Sequence, residues 1–267
     1  MNTTNQSNSQ KTVLITGASS GIGYELTKLF AQDRYNLVLV ARNESKLQEI
    51  AAELTEKFGV SVKVMVKDLS LSASPEEIFQ ELQTEAITIN VLVNNAGFAT
   101  YGFFAETELQ PEIKMMQLNV MALTHLTKLF LKEMLVQKAG KILNIASTAA
   151  FQPGPLMAVY YATKAYVLSF SEALANELQG TGVTVTALCP GPTESGFQAQ
   201  ANMESSKLVK GKQIMDAETV ALIGYRGLNN NKTVVIPGLK NKLLALSVRF
   251  TPRNLVTKLV RNMQKSV

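Results

Sequence analysis

The feature that most constrains the fold of this chain is the alternation of short, continuously apolar runs with longer stretches of helical spacing. The runs are rich in β-branched residues, and most of them lack a regular alternation of apolar and polar positions, as is typical of parallel strands buried on both faces. Seven such runs occur, at residues 12–16, 36–41, 60–66, 90–94, 141–146, 183–188 and 233–236. Helical spacing lies between them, at residues 21–33, 43–58, 74–86, 109–137, 157–179 and 216–228. The pattern predicts one doubly wound α/β domain, a seven-stranded parallel sheet with helices on both faces.

The two ends of the chain differ from this body. Residues 1–10 are polar and uncharged, without the basic start and apolar run of a signal peptide, and predict a disordered tail. Residues 11–238 form the predicted domain. Residues 239–267 hold seven basic and no acidic residues, and predict a basic helical extension. Removing those seven from the chain's 26 basic residues leaves 19 against 21 acidic ones, so the body is slightly acidic and no nucleic-acid partner is expected.

Several classes of protein are disfavoured by composition. The single cysteine, Cys189, cannot form an internal disulfide, and the single histidine, His125, belongs to no Cys/His cluster, so no metal site is expected. The sequence contains no run of about 18 apolar residues, so no membrane-spanning helix is predicted. We therefore expect a cytoplasmic protein.

A glycine-rich turn follows the first predicted strand. Gly17-Ala18-Ser19-Ser20-Gly21-Ile22-Gly23 leads into a helix whose Leu26, Leu29 and Phe30 share one face. Such a turn can bring backbone N–H groups and a helix N-terminus to a pyrophosphate. A purely structural β–α turn is the alternative, but its place between the first strand and a helix favours dinucleotide binding.

The second predicted strand ends at Ala41-Arg42, near the position where an NAD-selective site carries a carboxylate for the ribose 2′-hydroxyl. No carboxylate there would repel a 2′-phosphate, and the Arg42 guanidinium could bind one. The alternative is that Arg42 is a solvated residue at a helix start. The sequence favours NADP(H) over NAD(H).

A third set of residues suggests acid–base chemistry. Ser147 follows the fifth strand, and Tyr160 and Lys164 are i and i+4 on the helix after it, so both lie on one helix face. A neighbouring ammonium is expected to lower the pKa of a phenol from its usual value near about 10. Tyr-x-x-x-Lys is common on amphipathic helices and Ser147 could be a strand-end cap, but their combination with the glycine turn predicts a catalytic site.

With these motifs in order, residues 11–238 resemble the short-chain dehydrogenase/reductase family, whose Rossmann fold fits the predicted sheet. The resemblance implies two sets of site residues. The catalytic set is Asn119, Ser147, Tyr160 and Lys164. The cofactor-binding set is Gly17, Ser19, Ser20, Gly21, Ile22, Gly23, Arg42, Asp68, Leu69, Asn95, Ala96, Gly97, Tyr160, Lys164, Pro190, Gly191 and Thr193. Asn119 has a structural alternative, that of bridging a helix kink.

The resemblance also implies a mechanism and an assembly. Hydride would pass between the nicotinamide and a carbonyl or alcohol carbon of a small-molecule substrate. Tyr160 would move the proton, Ser147 would hold the oxygen, Lys164 would lower the tyrosine pKa and bind the nicotinamide ribose, and Asn119 would hold a water. Many NADPH-using relatives carry a basic residue where Ser20 stands, so Arg42 would recognise the 2′-phosphate largely alone. Relatives form homodimers or homotetramers through their fourth and fifth helices.

The substrate is expected to be apolar. The predicted pocket walls are Phe98, Phe103, Phe104, Phe151, Pro153, Pro155, Leu156, Met157 and Phe197, and residues 194–212 fall where relatives have a lid. The extension beyond Gly238 resembles the hydroxysteroid and long-chain 3-ketoacyl reductase branch and its bacterial relatives.

The extension itself allows two interpretations. Its apolar positions Leu255, Val256, Leu259, Val260 and Met263 share one helical face, opposite a basic face. We favour the interpretation that this helix packs on its own domain or on a second subunit. The alternative is that it contacts an anionic membrane. For the whole chain the competing functions are an NADPH-binding redox sensor without turnover and a peripheral-membrane interaction protein. The intact catalytic set favours the enzyme over both.

Overall fold

The computed structural model describes residues 10–196 and 214–264. Six long strands are β1 (Thr12–Thr16), β2 (Asn36–Ala41), β3 (Val62–Val66), β4 (Val91–Asn94), β5 (Gly140–Ile145) and β6 (Val183–Leu188). Three two-residue strands follow, β7 (Thr193–Glu194), β8 (Met215–Asp216) and β9 (Val234–Val235). The strands before β7, together with β9, form a parallel sheet of order β3-β2-β1-β4-β5-β6-β9. The predicted seven-stranded doubly wound sheet is confirmed; the small β7–β8 pair beside it was not predicted.

Helices cover both faces of the sheet. They are α1 (Gly21–Gln32), α2 (Glu44–Phe58), α3 (Ser74–Thr84), α4 (Leu109–Met116), α5 (Leu123–Gln137), α6 (Ala158–Glu177), α7 (Ala217–Asn229), α8 (Leu239–Ser247) and α9 (Arg253–Gln264). Successive residues of β1 explain the unbroken apolar runs: Val13 and Ile15 pack with α1, while Leu14 packs with α3 and α5. Since neighbouring strand residues point to opposite faces, every position meets a core.

The predicted helix at 109–137 is interrupted. Between α4 and α5, residues Gln117–Ala122 form a π-helical turn, which widens the helix by one residue per turn. The starts of α7 and α3 are held in different ways. Asp216 caps α7 by accepting a hydrogen bond from the Thr219 N–H at 2.6 Å. Ser74 is not the cap of α3; its hydroxyl donates to the Asp68 carbonyl instead.

The C-terminal extension folds back onto the domain. Two helices, α8 and α9, are separated by a turn at Thr251-Pro252, as predicted. Val256 and Val260 of α9 are buried in a cluster with Tyr160 and Tyr161 of α6. Gln264 donates its side-chain N–H to the Tyr161 hydroxyl, and the Tyr101 hydroxyl donates to the Gln264 carbonyl. The interpretation of a helix packed on its own domain therefore holds for this face of α9.

Some predictions fall on residues that the structure does not describe. Residues 1–9 of the predicted tail, Phe197, residues 197–212 of the predicted lid and Lys265 lie outside the described ranges. Among residues 10–196 and 214–264, no helix is long and apolar enough to cross a membrane.

The docking of α9 can be tested by placing a charge on its buried or its exposed side. Val260 is 2% exposed and its neighbour Leu259 is 50% exposed. We expect Val260→Asp to lower the free energy of unfolding by about 2–4 kcal/mol, because it removes buried apolar contacts and desolvates a carboxylate. Leu259→Asp should change it by less than about 0.5 kcal/mol. Denaturant unfolding measures both; equal effects would mean that α9 is not docked as described.

Candidate active site

The site lies at the carboxyl ends of the parallel strands, where the sheet order reverses between β1 and β4. In open α/β sheets ligands bind at such a switch point, since the connecting chains leave there in opposite directions. A cavity of about 640 Å³ opens at this edge. It extends from the glycine turn after β1 to the residues that follow β5 and β6, and to helix α6.

The glycine turn has the backbone that the sequence predicts. Gly17 and Gly21 have φ of +65° and +54°, in the left-handed region that favours glycine. A Cβ on Gly23 would lie 2.2 Å from the Gly17 carbonyl oxygen, so the first turn of α1 packs directly on the end of β1. The turn is therefore tight: the Gly17 N–H donates to the Val40 carbonyl at 2.8 Å, and the residues from Ser19 to Ile22 line the cavity.

Asn95 holds this turn from the neighbouring strand. Its side-chain N–H donates to the carbonyls of Thr16 and Gly17 at 2.9 and 3.0 Å, and its backbone N–H donates to the Thr16 hydroxyl at 2.9 Å. One residue earlier, at the end of β4, the Asn94 amide donates to Thr127 and Asn144 at 3.0 and 2.9 Å. These bonds fix the spacing of β1, β4 and β5 below the cavity.

The predicted catalytic residues converge on the opposite side. Tyr160, which is buried, is hydrogen-bonded to the Ser147 side chain. The Lys164 ammonium lies 5.8 Å from the centre of the Tyr160 ring and donates to the Ile145 carbonyl at 2.8 Å. Ser147 has a structural task as well, since its hydroxyl accepts a hydrogen bond from the Ala149 N–H at the start of a short 3₁₀ helix.

The pKa values of this group differ from the sequence expectation. Burial raises the pKa of Tyr160 well above its usual value, and the Ser147 hydrogen bond opposes the rise only in part. Burial also lowers the pKa of Lys164 to about 8. The expected lowering of the Tyr160 pKa by Lys164 is not seen: burial is the largest influence on the phenol, and the group that opposes it is Ser147.

Asn119 lies behind the cavity wall and does not line it. The π-helical turn brings its side chain to Phe98, where it accepts from the backbone N–H at 3.2 Å and donates to the carbonyl at 3.0 Å. It also donates to the Thr163 hydroxyl at 3.2 Å. A Cβ on Gly97 would lie 3.0 Å from Asn119 Oδ1 and 3.6 Å from Lys164 Nζ. Asn119 thus supports the segment that faces Lys164, as a positioning residue.

The structure brings nearly all of the predicted site residues to one cavity. Asn119 and Gly23 are the two that lie behind its wall. The lining includes Gly17, Ser19, Ser20, Gly21, Ile22, Arg42, Asp68, Leu69, Asn95, Ala96, Gly97, Ser147, Tyr160, Lys164, Pro190, Gly191 and Thr193.

The basic side chains near the second strand are more numerous than predicted. Lys67 and Lys114 line the cavity together with Arg42. Arg42 and Lys114 both help to lower the pKa of Asp68, which is also held by hydrogen bonds from Ser70. Arg42 is therefore not the only cation available to an anionic group at this end.

The substrate side differs from the prediction. Of the predicted walls among the described residues, Phe98 and Met157 line the cavity, whereas Phe103 and Phe104 are largely exposed and Phe151 packs in a separate cluster. Pro153, Pro155 and Leu156 are not part of the lining either. The C-terminal helices provide the missing wall through residues that sequence reasoning did not select: Asn241, Leu244, Ala245 and Met263.

Comparison with known proteins identifies the class of this site. The family model for short chain dehydrogenases matches residues 11–206. The chain belongs to the short-chain dehydrogenase/reductase family. The family assignment, the α/β fold and the dehydrogenase/reductase class predicted from the sequence are thereby confirmed.

Similar proteins include a very-long-chain 3-oxoacyl-CoA reductase of Anas platyrhynchos, which is 34% identical over 230 residues, 84% of this chain and 71% of the relative. A short-chain dehydrogenase from Sphingobium yanoikuyae, solved in complex with NADPH, superposes with a TM-score of 0.81 at 33% identity, over 90% of this chain and 93% of that one. A bulky-bulky ketone specific alcohol dehydrogenase from Comamonas testosteroni superposes with a TM-score of 0.77 at 30% identity, over 90% of this chain and 92% of that one.

Proposed function

We propose that this oxidoreductase reduces an apolar ketone with NADPH, and that Tyr160 supplies the proton. The observation that carries the proposal is the position of Tyr160, hydrogen-bonded to Ser147 in the wall of a cavity that begins at the glycine turn. A proton donor and a dinucleotide-binding turn thus share one cavity, as hydride transfer to a carbonyl requires.

The residues present fit an NADP(H) molecule. Ser19, Ser20 and Gly21 line the cavity at the N-terminus of α1, where a pyrophosphate would bind. Arg42 and Lys114 line the adjoining end of the cavity and are cations suited to a 2′-phosphate, whereas Lys67 is paired with Glu77. NADPH bound there supplies the hydride. The NADPH complex of the Sphingobium yanoikuyae relative supports this choice of cofactor.

The protein's own contribution is to hold the substrate oxygen and to move a proton. Since burial raises its pKa, Tyr160 keeps its proton at neutral pH and can donate it to the carbonyl oxygen as negative charge develops there. Ser147 holds the same oxygen by a hydrogen bond. The Lys164 ammonium, close to the ring, then stabilises the tyrosinate that proton donation leaves. A protonated phenol suits the reductive direction.

The walls around Tyr160 favour a bulky apolar substrate. Met157, Leu244, Ala245 and Met263 present aliphatic and thioether surface to the cavity. Two similar proteins, a very-long-chain 3-oxoacyl-CoA reductase and a bulky-bulky ketone specific alcohol dehydrogenase, support the same substrate class. We propose that the substrate is a long or bulky ketone and that the C-terminal helices form one wall of its binding site.

For the assembly, we propose a homo-oligomer formed through α4 and α5. Met116, Met121 and Leu135 are exposed there, on the helices through which the family associates. We propose a cytoplasmic location, to which the single buried thiol, Cys189, is suited.

The role of Tyr160 is tested by removing only its hydroxyl. Tyr160→Phe should reduce kcat by about 10²–10⁴-fold, because the proton donor is lost, while the Kd for NADPH stays within about threefold. Tyr161→Phe is the matched control; its hydroxyl is bonded to Gln264, and kcat should fall less than about tenfold. Steady-state assays with a ketone panel and NADPH titrations measure both. Near-normal turnover of Tyr160→Phe would refute the assignment.

The charge on Lys164 predicts a pH profile. Its pKa is lowered to about 8, so the ammonium is present below that pH and is lost as pH rises through it. If the ammonium stabilises the tyrosinate, kcat for ketone reduction should fall above about pH 8. Lys164→Met should be slow at all pH values and lack that step. A profile that rises through this range would contradict the role given to Lys164.

Cofactor preference tests Arg42. We expect Arg42→Ala to raise the KM for NADPH by about 10–100-fold, the value of a charge-assisted hydrogen bond, and the KM for NADH by less than about threefold. Lys46→Ala is the control, since it removes an exposed cation on α2 that pairs with Glu49 and does not line the cavity. Equal changes in the KM for NADPH in the two variants would show that Arg42 contributes only to the overall positive charge and does not bind the 2′-phosphate.

A further inference from the structure

The described part of the C-terminal extension, residues 239–264, exposes an unusual amount of apolar surface. Eight of the 18 exposed large apolar side chains of the described residues lie in these 26 positions. They are Leu239, Leu243, Leu244, Leu246, Phe250, Leu255, Leu259 and Met263. The docking of Val256 and Val260 therefore accounts for only one side of α9.

The remaining side of α9 has a definite order around the helix. At about 100° per residue, Leu255, Leu259 and Met263 form a stripe beside the buried stripe of Val256 and Val260. Lys258 and Arg261 lie on the other side of the exposed stripe, away from Val256 and Val260. An exposed apolar stripe bordered by cations, beyond a buried one, is what an interfacial helix presents to a lipid surface.

Charge selects the occupant of this surface. Lys240, Lys242, Arg249, Arg253, Lys258 and Arg261 are all exposed, and residues 239–264 contain no acidic residue. In a two-fold contact between copies, the same patch would face itself and bring these cations together. A surface that carries negative charge and accepts apolar side chains satisfies both features, and an anionic bilayer is such a surface.

We propose that the surface formed by α8, the turn after it and the exposed side of α9 binds the headgroup region of an anionic lipid bilayer. Phe250, which is 82% exposed in the turn between the two helices, is the side chain best placed to insert. Basic residues on either side of it contact lipid phosphates.

The contact also bears on substrate access. Leu244 and Met263 line the cavity and are at the same time exposed, so they lie at its rim. The proposed lipid-binding surface is thus continuous with the entrance to the active site. An apolar ketone dissolved in the bilayer would reach Tyr160 without crossing water. This last step rests on the proposed reductase function, whereas the lipid contact does not.

Fluorescence of a single introduced tryptophan tests the contact, because the chain contains none. Phe250→Trp should shift its emission to shorter wavelength on addition of vesicles of phosphatidylcholine with phosphatidylglycerol, and less with phosphatidylcholine alone. Ala52→Trp, at an exposed site on α2, should not respond. Raising the salt from about 0.1 M to about 1 M should weaken the response, since the Debye length falls from about 10 Å to about 3 Å. No shift, or one that appears with protein concentration in the absence of vesicles, would overturn the proposal, the latter in favour of self-association.

Co-sedimentation with the same vesicles gives an independent measurement. Leu255→Glu with Lys258→Glu should reduce the partition coefficient by more than about tenfold. The control, Ala52→Glu with Lys57→Glu, makes the same change of charge on exposed positions of α2 and should bind like the unmodified chain. Equal losses in the two variants would overturn the proposal, because net charge alone would then explain binding.

Activity separates the two proposals. The Leu255→Glu, Lys258→Glu variant should keep its rate on a water-soluble ketone and lose rate only on a ketone dissolved in the vesicles. An unchanged rate on the vesicle-bound ketone would overturn the access route. Absence of all ketone reduction in the unmodified chain would instead contradict the proposed function and leave the vesicle-binding results to stand by themselves.

Discussion

The site depends on the contact between the ends of β1 and β4. The sheet order reverses there, and the Asn95 side chain closes the junction by donating to the carbonyls of both Thr16 and Gly17. A Cβ on Gly17 would lie 2.8 Å from the Asn95 amide nitrogen, and one on Gly23 would lie 2.4 Å from it. The two glycines and the asparagine are therefore one packing unit. The glycines leave space for the amide, and the amide fixes the turn that lines this end of the cavity.

A second constraint holds the acid–base group. Lys164 is tied to the end of β5 through the Ile145 carbonyl, and Ser147 lies two residues further along the chain. Helix α6 is thereby fixed against the strand that precedes Ser147, and Tyr160 is held one turn away from Lys164. The Asn119 amide supports the opposite side by binding both backbone groups of Phe98. These are structural bonds in the first place, and their chemical effect is to keep a buried phenol close to a buried cation.

The sequence predicts the sheet well and the electrostatics poorly, for different physical reasons. Val13, Leu14 and Ile15 alternate between two cores, so their uninterrupted apolar run can only be a strand buried on both faces. The π-helical turn at Gln117–Ala122 leaves no such trace, because one extra residue in a turn barely alters the apolar period. The pKa of Tyr160 could not be predicted either. Spacing reveals the neighbouring Lys164, but only the packing reveals how deeply both groups are buried.

The wall formed by the C-terminal helices shows the same limit. Leu255, Val256, Leu259 and Val260 are equivalent in the periodic pattern, yet the structure buries the two valines and exposes the two leucines. Val256 and Val260 pack in one cluster with Tyr160 and Tyr161. Gln264, at the end of the same side of α9, is hydrogen-bonded to Tyr161, 103 positions away in the chain. One part of the apolar stripe of α9 thus packs on the catalytic helix α6, and the other part faces outward beside the cations, on the surface that we propose binds lipid.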